Sequence, residues 1–109
     1  MSFPRLTAVT SFVLCVVPFA AADEGRDASR GRAYAQGICA ECHAVQPGDV
    51  QVTRPGIPSF KTIANTPGMT ARALMVWLQT PHPTMPNLIV DAQDRDDVIA
   101  YILSLQDKP

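Results

Sequence analysis

One short run of the chain combines two thiols and an imidazole at a spacing that can attach a cofactor. The run is Cys39-Ala40-Glu41-Cys42-His43, so two residues separate the cysteines and a histidine follows the second. This C-x-x-C-H spacing is typical of c-type haem attachment, in which the thiols add to the two vinyl groups of the porphyrin. The histidine is then placed to bind the iron as its proximal ligand. The sequence therefore predicts one covalent haem c, held by Cys39 and Cys42, with His43 on the iron.

The second axial position of such an iron has two candidates, which lie in one proline-rich run. The run is Pro81-His82-Pro83-Thr84-Met85-Pro86, whose three prolines favour a stiff, extended loop. A thioether is a soft, neutral ligand that stabilises ferrous iron and raises the potential, so we predict Met85 as the distal ligand. His82 stays open as an alternative, since imidazole also binds iron well and would lower the potential. A solvated loop histidine is its simpler interpretation.

Further residues are candidates for contacts around this site. The Nδ1–H group of His43 needs an acceptor that fixes its tautomer, and the following loop offers the carbonyl of Pro58 or that of Pro55. Trp77 could donate its indole N–H to a haem propionate. Alternatively, it could pack against the haem edge with a backbone or water partner.

Four helices are predicted to position these residues, and no stretch alternates with a period of two. Each has a side chain at or near its start that can cap it. The predicted ranges are Gly25–Gly37, Phe60–Asn65, Ala71–Thr80 and a last helix after Asp91, with Asp27, Ser59, Thr70 and Asp91 as caps. The fold class is therefore predicted to be all-α.

Two details of these helices point beyond local structure. Gly31 lies inside the first helix, where glycine costs about 1 kcal/mol relative to alanine, so another element is expected to approach closely there. Asp94, Asp96 and Asp97 are interpreted as charges that favour the N-terminal end of the last helix.

The N-terminal residues have the pattern of a secretory signal peptide. A positive Arg5 precedes a mostly apolar stretch that ends in Ala20-Ala21-Ala22, just before Asp23. We predict a signal peptide over residues 1–22 that is cleaved, a single haem domain over residues 23–109, and a periplasmic location. A retained anchor is the alternative, which the short apolar stretch and Pro18 disfavour. Cleavage removes Cys15, one of the three cysteines.

The composition gives no sign of a nucleic-acid partner, and the short length indicates that the domain needs additional stabilisation. The formal net charge is −1 and the arginines are scattered among acids, so nothing indicates a nucleic-acid binder. After signal cleavage we also expect no membrane contact. A domain this small buries a modest core and often depends on a cofactor, a metal or a disulfide.

At these residues the chain resembles a class I c-type cytochrome over essentially the whole segment 23–109. Besides the C-x-x-C-H run, four segments carry the resemblance. They are Gly31 with Tyr34, the run Gly56-Ile57-Pro58-Ser59-Phe60, the pair Met85-Pro86, and Asp97-Val98-Ile99-Ala100-Tyr101-Ile102.

This resemblance implies a compact class I cytochrome c fold, of the bacterial rather than the mitochondrial type. The N- and C-terminal helices would cross, with Tyr101 packed across Gly31, and haem would lie between the helices and the Met85 loop. It also implies Pro58, rather than Pro55, as the acceptor for His43. The lysine-rich docking face of the mitochondrial proteins is missing, since Lys61 and Lys108 are the only lysines.

The function that these residues predict is one-electron transfer rather than catalysis. A haem with both axial positions filled offers no site for substrate, so we expect a periplasmic, monomeric carrier that meets redox protein partners transiently. Its docking patch is predicted to be small and apolar. The patch would consist of Ala40, Val45, Gln46, Pro83 and Pro86.

Three alternatives remain open at this stage. A haem enzyme or gas sensor would have a displaceable Met85, although the sequence offers little acid–base machinery beyond His82. A zinc or thiol-redox module would use Cys39 and Cys42, but thioredoxin-like chemistry needs a βαβ context. A dedicated subunit of a dehydrogenase or oxidase complex would keep the electron transfer and change its setting.

Overall fold

Four α-helices form the framework of the protein, as seen in a computed structural model. The structure describes Met1 and residues 25–49, 55–83, 85 and 88–109, and in these residues it contains no β-strand. The helices are α1 (Ala28–Gly37), α2 (Phe60–Ala64), α3 (Ala71–Gln79) and α4 (Ala92–Ser104), and a 3₁₀ turn covers Cys39–Glu41. The all-α prediction is therefore confirmed. The predicted cleavage after Ala22 lies outside the described residues and stays a prediction.

All four predicted N-caps are confirmed, and they explain where the helices begin. The side chains of Asp27, Ser59, Thr70 and Asp91 each accept a hydrogen bond from a backbone N–H in the first turn that follows. Each cap has extended backbone torsion angles, so the helix starts at the next residue. None of the helices in the described part of the chain has the length and apolar character needed to cross a membrane.

The core lies where α1, α2 and α3 pack against α4. α4 contacts all three of the other helices, and its most extensive contact is with α1. The buried apolar residues of this core are Ala35, Val45, Phe60, Ala64, Leu74, Val98, Ile99, Tyr101 and Ile102.

Gly31 is the point where α1 and α4 come closest. A Cβ placed on Gly31 would overlap with the backbone carbonyl of Asp97 and lie against the nitrogen of Val98. The predicted close approach is thus confirmed, whereas the packing of Tyr101 across Gly31 that the resemblance implied stays a prediction. The nearest atoms belong to the α4 backbone, and the ring of Tyr101 is not among them. The helices can approach closely because Gly31 places no side chain between the two backbones.

Asp97 is buried in this crossing, so its interpretation as a charge at the helix end is wrong. Its side chain is 2% exposed, and its carboxylate accepts hydrogen bonds from the guanidinium of Arg30, the backbone N–H of Asp27 and the amide of Gln93. The hydrogen bonds from Arg30, followed by the one from Asp27, hold the pKa of Asp97 below its ordinary value although burial alone would raise it. This carboxylate therefore ties the start of α1 to α4.

Gly31→Ala should lower the free energy of unfolding by about 1–3 kcal/mol, the usual cost of an added methyl group in a packed contact. Urea denaturation measures it. Gly37→Ala is the matched control, because Gly37 is also in α1 but nothing lies within 4 Å of its Cβ. At that position alanine has the better helix propensity, so the free energy of unfolding should not fall and should rise by at most about 1 kcal/mol. Equal effects of the two substitutions would contradict the close crossing.

Asp97→Asn should lower the free energy of unfolding by about 1.5–3 kcal/mol at neutral pH, which is the range for hydrogen bonds to a charged group. The pKa of Asp97 is lowered in the folded state. The unfolded chain therefore binds more protons at pH values between that pKa and about 3.9, the ordinary pKa of an aspartate. The extra free energy of unfolding of the wild type over Asp97→Asn is therefore complete above this pH range, and it disappears as the pH falls through the folded-state pKa of Asp97. Unfolding curves of both proteins from pH 7 downward measure the difference.

Asp107→Asn removes an equal charge from an exposed ion pair and serves as the control. The Lys61 Nζ–Asp107 Oδ1 distance is 2.6 Å, with side chains 52% and 67% exposed, so the loss should stay below about 1 kcal/mol. If the free energies of unfolding of wild type and Asp97→Asn changed in parallel with pH, the ionised carboxylate of Asp97 would not contribute to stability.

Candidate cofactor site

A single cavity brings together most of the residues that the sequence analysis placed at the site. It has a volume of about 680 Å³ and opens beside the 3₁₀ turn. Such a volume is typical of sites for cofactors and other small molecules. Among the residues of its lining are Cys39, Cys42, His43, Pro58, Trp77 and Met85.

The walls of this cavity are apolar because three helices present one face to it. Leu74 and Leu78 come from α3 and Val98 and Ile102 from α4, each pair four residues apart and so on one side of its helix. Phe60 contributes from the first residue of α2. Several of these side chains also belong to the buried core, so the cavity is one side of that core.

The 3₁₀ turn brings both thiols to the cavity lining. The backbone N–H groups of Cys42 and His43 both donate to the carbonyl of Cys39, at 3.1 and 2.9 Å. Both thiols are half-buried. Burial raises the pKa of the Cys39 thiol to about 11, so it is protonated at neutral pH and poorly suited to thiol–disulfide exchange. Among the described residues there is also no group of three or more Cys, His, Asp or Glu side chains that could hold a metal ion.

The imidazole of His43 is oriented by the loop that precedes α2. Its Nδ1 lies 2.7 Å from the carbonyl oxygen of Pro58, which is the contact that the resemblance implied. A carbonyl can only accept, so Nδ1 carries the hydrogen and Nε2 keeps its lone pair. The ring also contacts Phe60, with centroids 5.5 Å apart. His43 is therefore held in the tautomer that can bind a metal through Nε2.

Tyr101 supports the segment after His43, a role that the sequence analysis missed. Its hydroxyl donates to the carbonyl of Val45 at 2.7 Å, and the N–H of Phe60 donates to the carbonyl of Ala44 at 2.9 Å. Val45 is only 2% exposed, so its predicted place in a docking patch is wrong: it belongs to the core. An aromatic residue in α4 was the available signal for Tyr101, but nothing in the sequence pairs its hydroxyl with residue 45.

Met85 and His82 line the same cavity and belong to one turn of the proline-rich run. Both side chains are half-buried, and the N–H of Met85 donates to the carbonyl of His82 at 3.4 Å. The Nδ1 of His82 lies 3.0 Å from the carbonyl oxygen of Thr80. Pro86, which was also predicted in this loop, lies outside the described residues.

Trp77 lies at the mouth of the cavity rather than inside it. Its side chain is 55% exposed, and its ring meets that of His82 edge-on, with centroids 5.1 Å apart at 88°. The contact between Trp77 and a propionate stays a prediction.

These residues fit a covalently attached haem. Two thiols lie at the cavity, an imidazole has a free Nε2, a thioether comes from a distant part of the chain, and the walls are apolar enough to receive a flat macrocycle. That donor set of imidazole and thioether is typical of electron-transfer haem proteins.

A comparison with protein families gives a match to the Cytochrome c family over residues 28–106. Comparisons with curated proteins and with solved structures gave no significant match. The matched segment contains all four helices, the attachment run and Met85. The predicted class I fold and the predicted cofactor are therefore confirmed. The chain belongs to the cytochrome c family, as a class I c-type cytochrome that carries one covalent haem c.

Proposed function

We propose that this haem-based electron carrier works in the periplasm, with its iron held between His43 and Met85. The haem supplies the one-electron change between ferrous and ferric iron. The observation that carries the proposal is that the two candidate ligands, which are 42 positions apart in the sequence, line the same cavity with half-buried side chains.

His43 would keep its place in both oxidation states because its ring is fixed from two sides. Donation from Nδ1 to Pro58 selects the tautomer and increases the basicity of Nε2. The contact with Phe60 limits rotation of the ring. A ligand that does not move between the two states favours fast electron transfer, because little of the structure has to rearrange.

The lining of the cavity favours a carrier over a haem enzyme or a gas sensor. Apart from the proposed attachment and ligand residues, the titratable side chains that the described lining contains are Glu41 and His82. Reactions of peroxide at haem need positioned acid–base groups near the iron, and the described lining is otherwise mainly apolar. A dedicated subunit of a larger redox complex remains the second setting for the same activity.

A surface for redox partners is proposed around the mouth of the cavity. Ile38, Trp77 and Leu88 line the cavity and are 44%, 55% and 39% exposed. They give the mouth an apolar rim that suits small, transient contacts with partner proteins. We propose that the protein is a monomer between these encounters.

Export to the periplasm is proposed from the signal pattern over residues 1–22, with Asp23 as the first residue of the mature protein. Covalent attachment of haem to the thiols of Cys39 and Cys42 suits this location, since the mature chain has no further cysteine. N-terminal sequencing of the exported protein tests the cleavage site.

Met85→Leu should abolish the weak near-red absorption band of methionine-ligated ferric haem. It should also lower the reduction potential by more than about 60 mV, which corresponds to a tenfold weaker preference for ferrous iron. A redox titration followed by absorption measures both. Met75→Leu is the control, because Met75 is also half-buried but packs against the core outside the cavity lining. A band that survives in Met85→Leu would exclude Met85 as a ligand.

Ile38→Glu should slow electron self-exchange between two copies of the protein by about tenfold and make the rate rise with ionic strength. The reason is that two like charges then face each other across an apolar contact. Wild-type self-exchange should vary little with salt, and line broadening in mixtures of the two oxidation states measures the rate. Val76→Glu is the control, since Val76 is 57% exposed but does not line the cavity. Equal slowing by both substitutions would argue against the proposed rim.

A further inference from the structure

His82 is oriented as an imidazole donor in the same way as His43. In both residues Nδ1 lies within hydrogen-bond distance of a backbone carbonyl, 3.0 Å from Thr80 for His82 and 2.7 Å from Pro58 for His43. Each Nδ1 therefore carries the hydrogen, and each Nε2 has a free lone pair in the neutral ring. This is the arrangement that metal-binding histidines commonly have. The chain has two histidines, and both line the cavity with a free Nε2.

His82 is also close to the proposed distal ligand. The hydrogen bond from the N–H of Met85 to the carbonyl of His82 makes them the fourth and first residues of one turn. The Cα atoms of such residues lie within about 7 Å of each other. Both side chains also line the same cavity.

The backbone and a neighbouring ring restrict the position of His82. Pro81 and Pro83 flank it and fix their own φ angles, which limits how far the backbone moves. Its ring is held between the carbonyl of Thr80 and the edge of Trp77, whose centroid is 5.1 Å away. Trp77 is 55% exposed, so its own ring has room to turn when the imidazole leaves.

We propose that His82 is a reserve axial ligand, whose Nε2 binds the iron when the thioether of Met85 leaves it. The proposal rests on ligation by His43 and Met85. One Fe–S bond is replaced by one Fe–N bond, no electron is transferred, and no proton leaves Nε2. The imidazole lowers the potential and keeps the iron closed to small ligands such as carbon monoxide and peroxide. Loss of the methionine thus turns the carrier into a weaker oxidant and leaves no open coordination site.

The test compares the haem-loaded variants Met85→Ala and Met85→Ala/His82→Gln. In the single variant the ferric iron should remain low-spin with the electron paramagnetic resonance spectrum of bis-histidine haem. In the double variant it should become high-spin. Carbon monoxide should bind to the reduced double variant at least tenfold faster, and added imidazole should bind to the ferric double variant at least tenfold more tightly. A single variant that is high-spin and behaves like the double variant would overturn the proposal.

Two controls separate this proposal from the assignment of Met85. His82→Gln alone should keep the near-red methionine band and the wild-type potential. A wild type that lacks this band and a His82→Gln variant that gains it would mean that His82 is the resting ligand, which contradicts both proposals, whereas a high-spin Met85→Ala variant contradicts the reserve role alone. Helix content by circular dichroism checks the fold. If Met85→Ala loses helix, the same comparison is made with Met85→Leu, which keeps the apolar volume of the side chain.

Discussion

The contact of α1 with the backbone of α4 at Gly31 determines where the walls of the haem cavity lie. Since Gly31 has no side chain, the two helices approach until α1 lies against the carbonyl of Asp97, whose buried carboxylate bonds back to Asp27 and Arg30. α1 leads directly into the 3₁₀ turn that carries the two thiols. The following turns of α4 supply Val98 and Ile102 to the cavity. One contact therefore sets the position of the attachment residues relative to the wall opposite them.

The two sides of the proposed iron site are held by different kinds of contact, and this difference has a physical consequence. The His43 side is fixed by hydrogen bonds between residues far apart in the sequence: His43 to Pro58 and Tyr101 to Val45. On the Met85 side, the hydrogen bonds given by the structure join residues two or three positions apart, within the proline-rich loop. Local contacts are easier to break without unfolding the rest. His43, the proposed proximal ligand, is thus tied to the core, whereas the loop that contains Met85 is held by local contacts.

Sequence reasoning predicted the features that depend on local chemistry and missed those that depend on pairing across the fold. Helix caps follow from one side chain and the next three residues, so all four were predictable. The attachment run is local as well, and Pro58 was reached through the resemblance. The buried place of Asp97 and the core position of Val45 were not predictable in this way. An aspartate near a helix start is usually a surface charge, and the positions of Arg30 and Asp27 relative to Asp97 make this one a buried acceptor.

The cavity also explains how so short a chain supports a stable fold. Residues such as Phe60 and Leu74 belong to the core and also line a space of about 680 Å³, so the apolar interior is complete only with the cofactor in place. An ordinary ligand is released on unfolding, and its contribution to stability depends on its concentration. A haem bound through two thioether links stays on the unfolded chain, so its contacts act like those of a core side chain. Stability of the fold and permanence of the cofactor are therefore consequences of the same two cysteines.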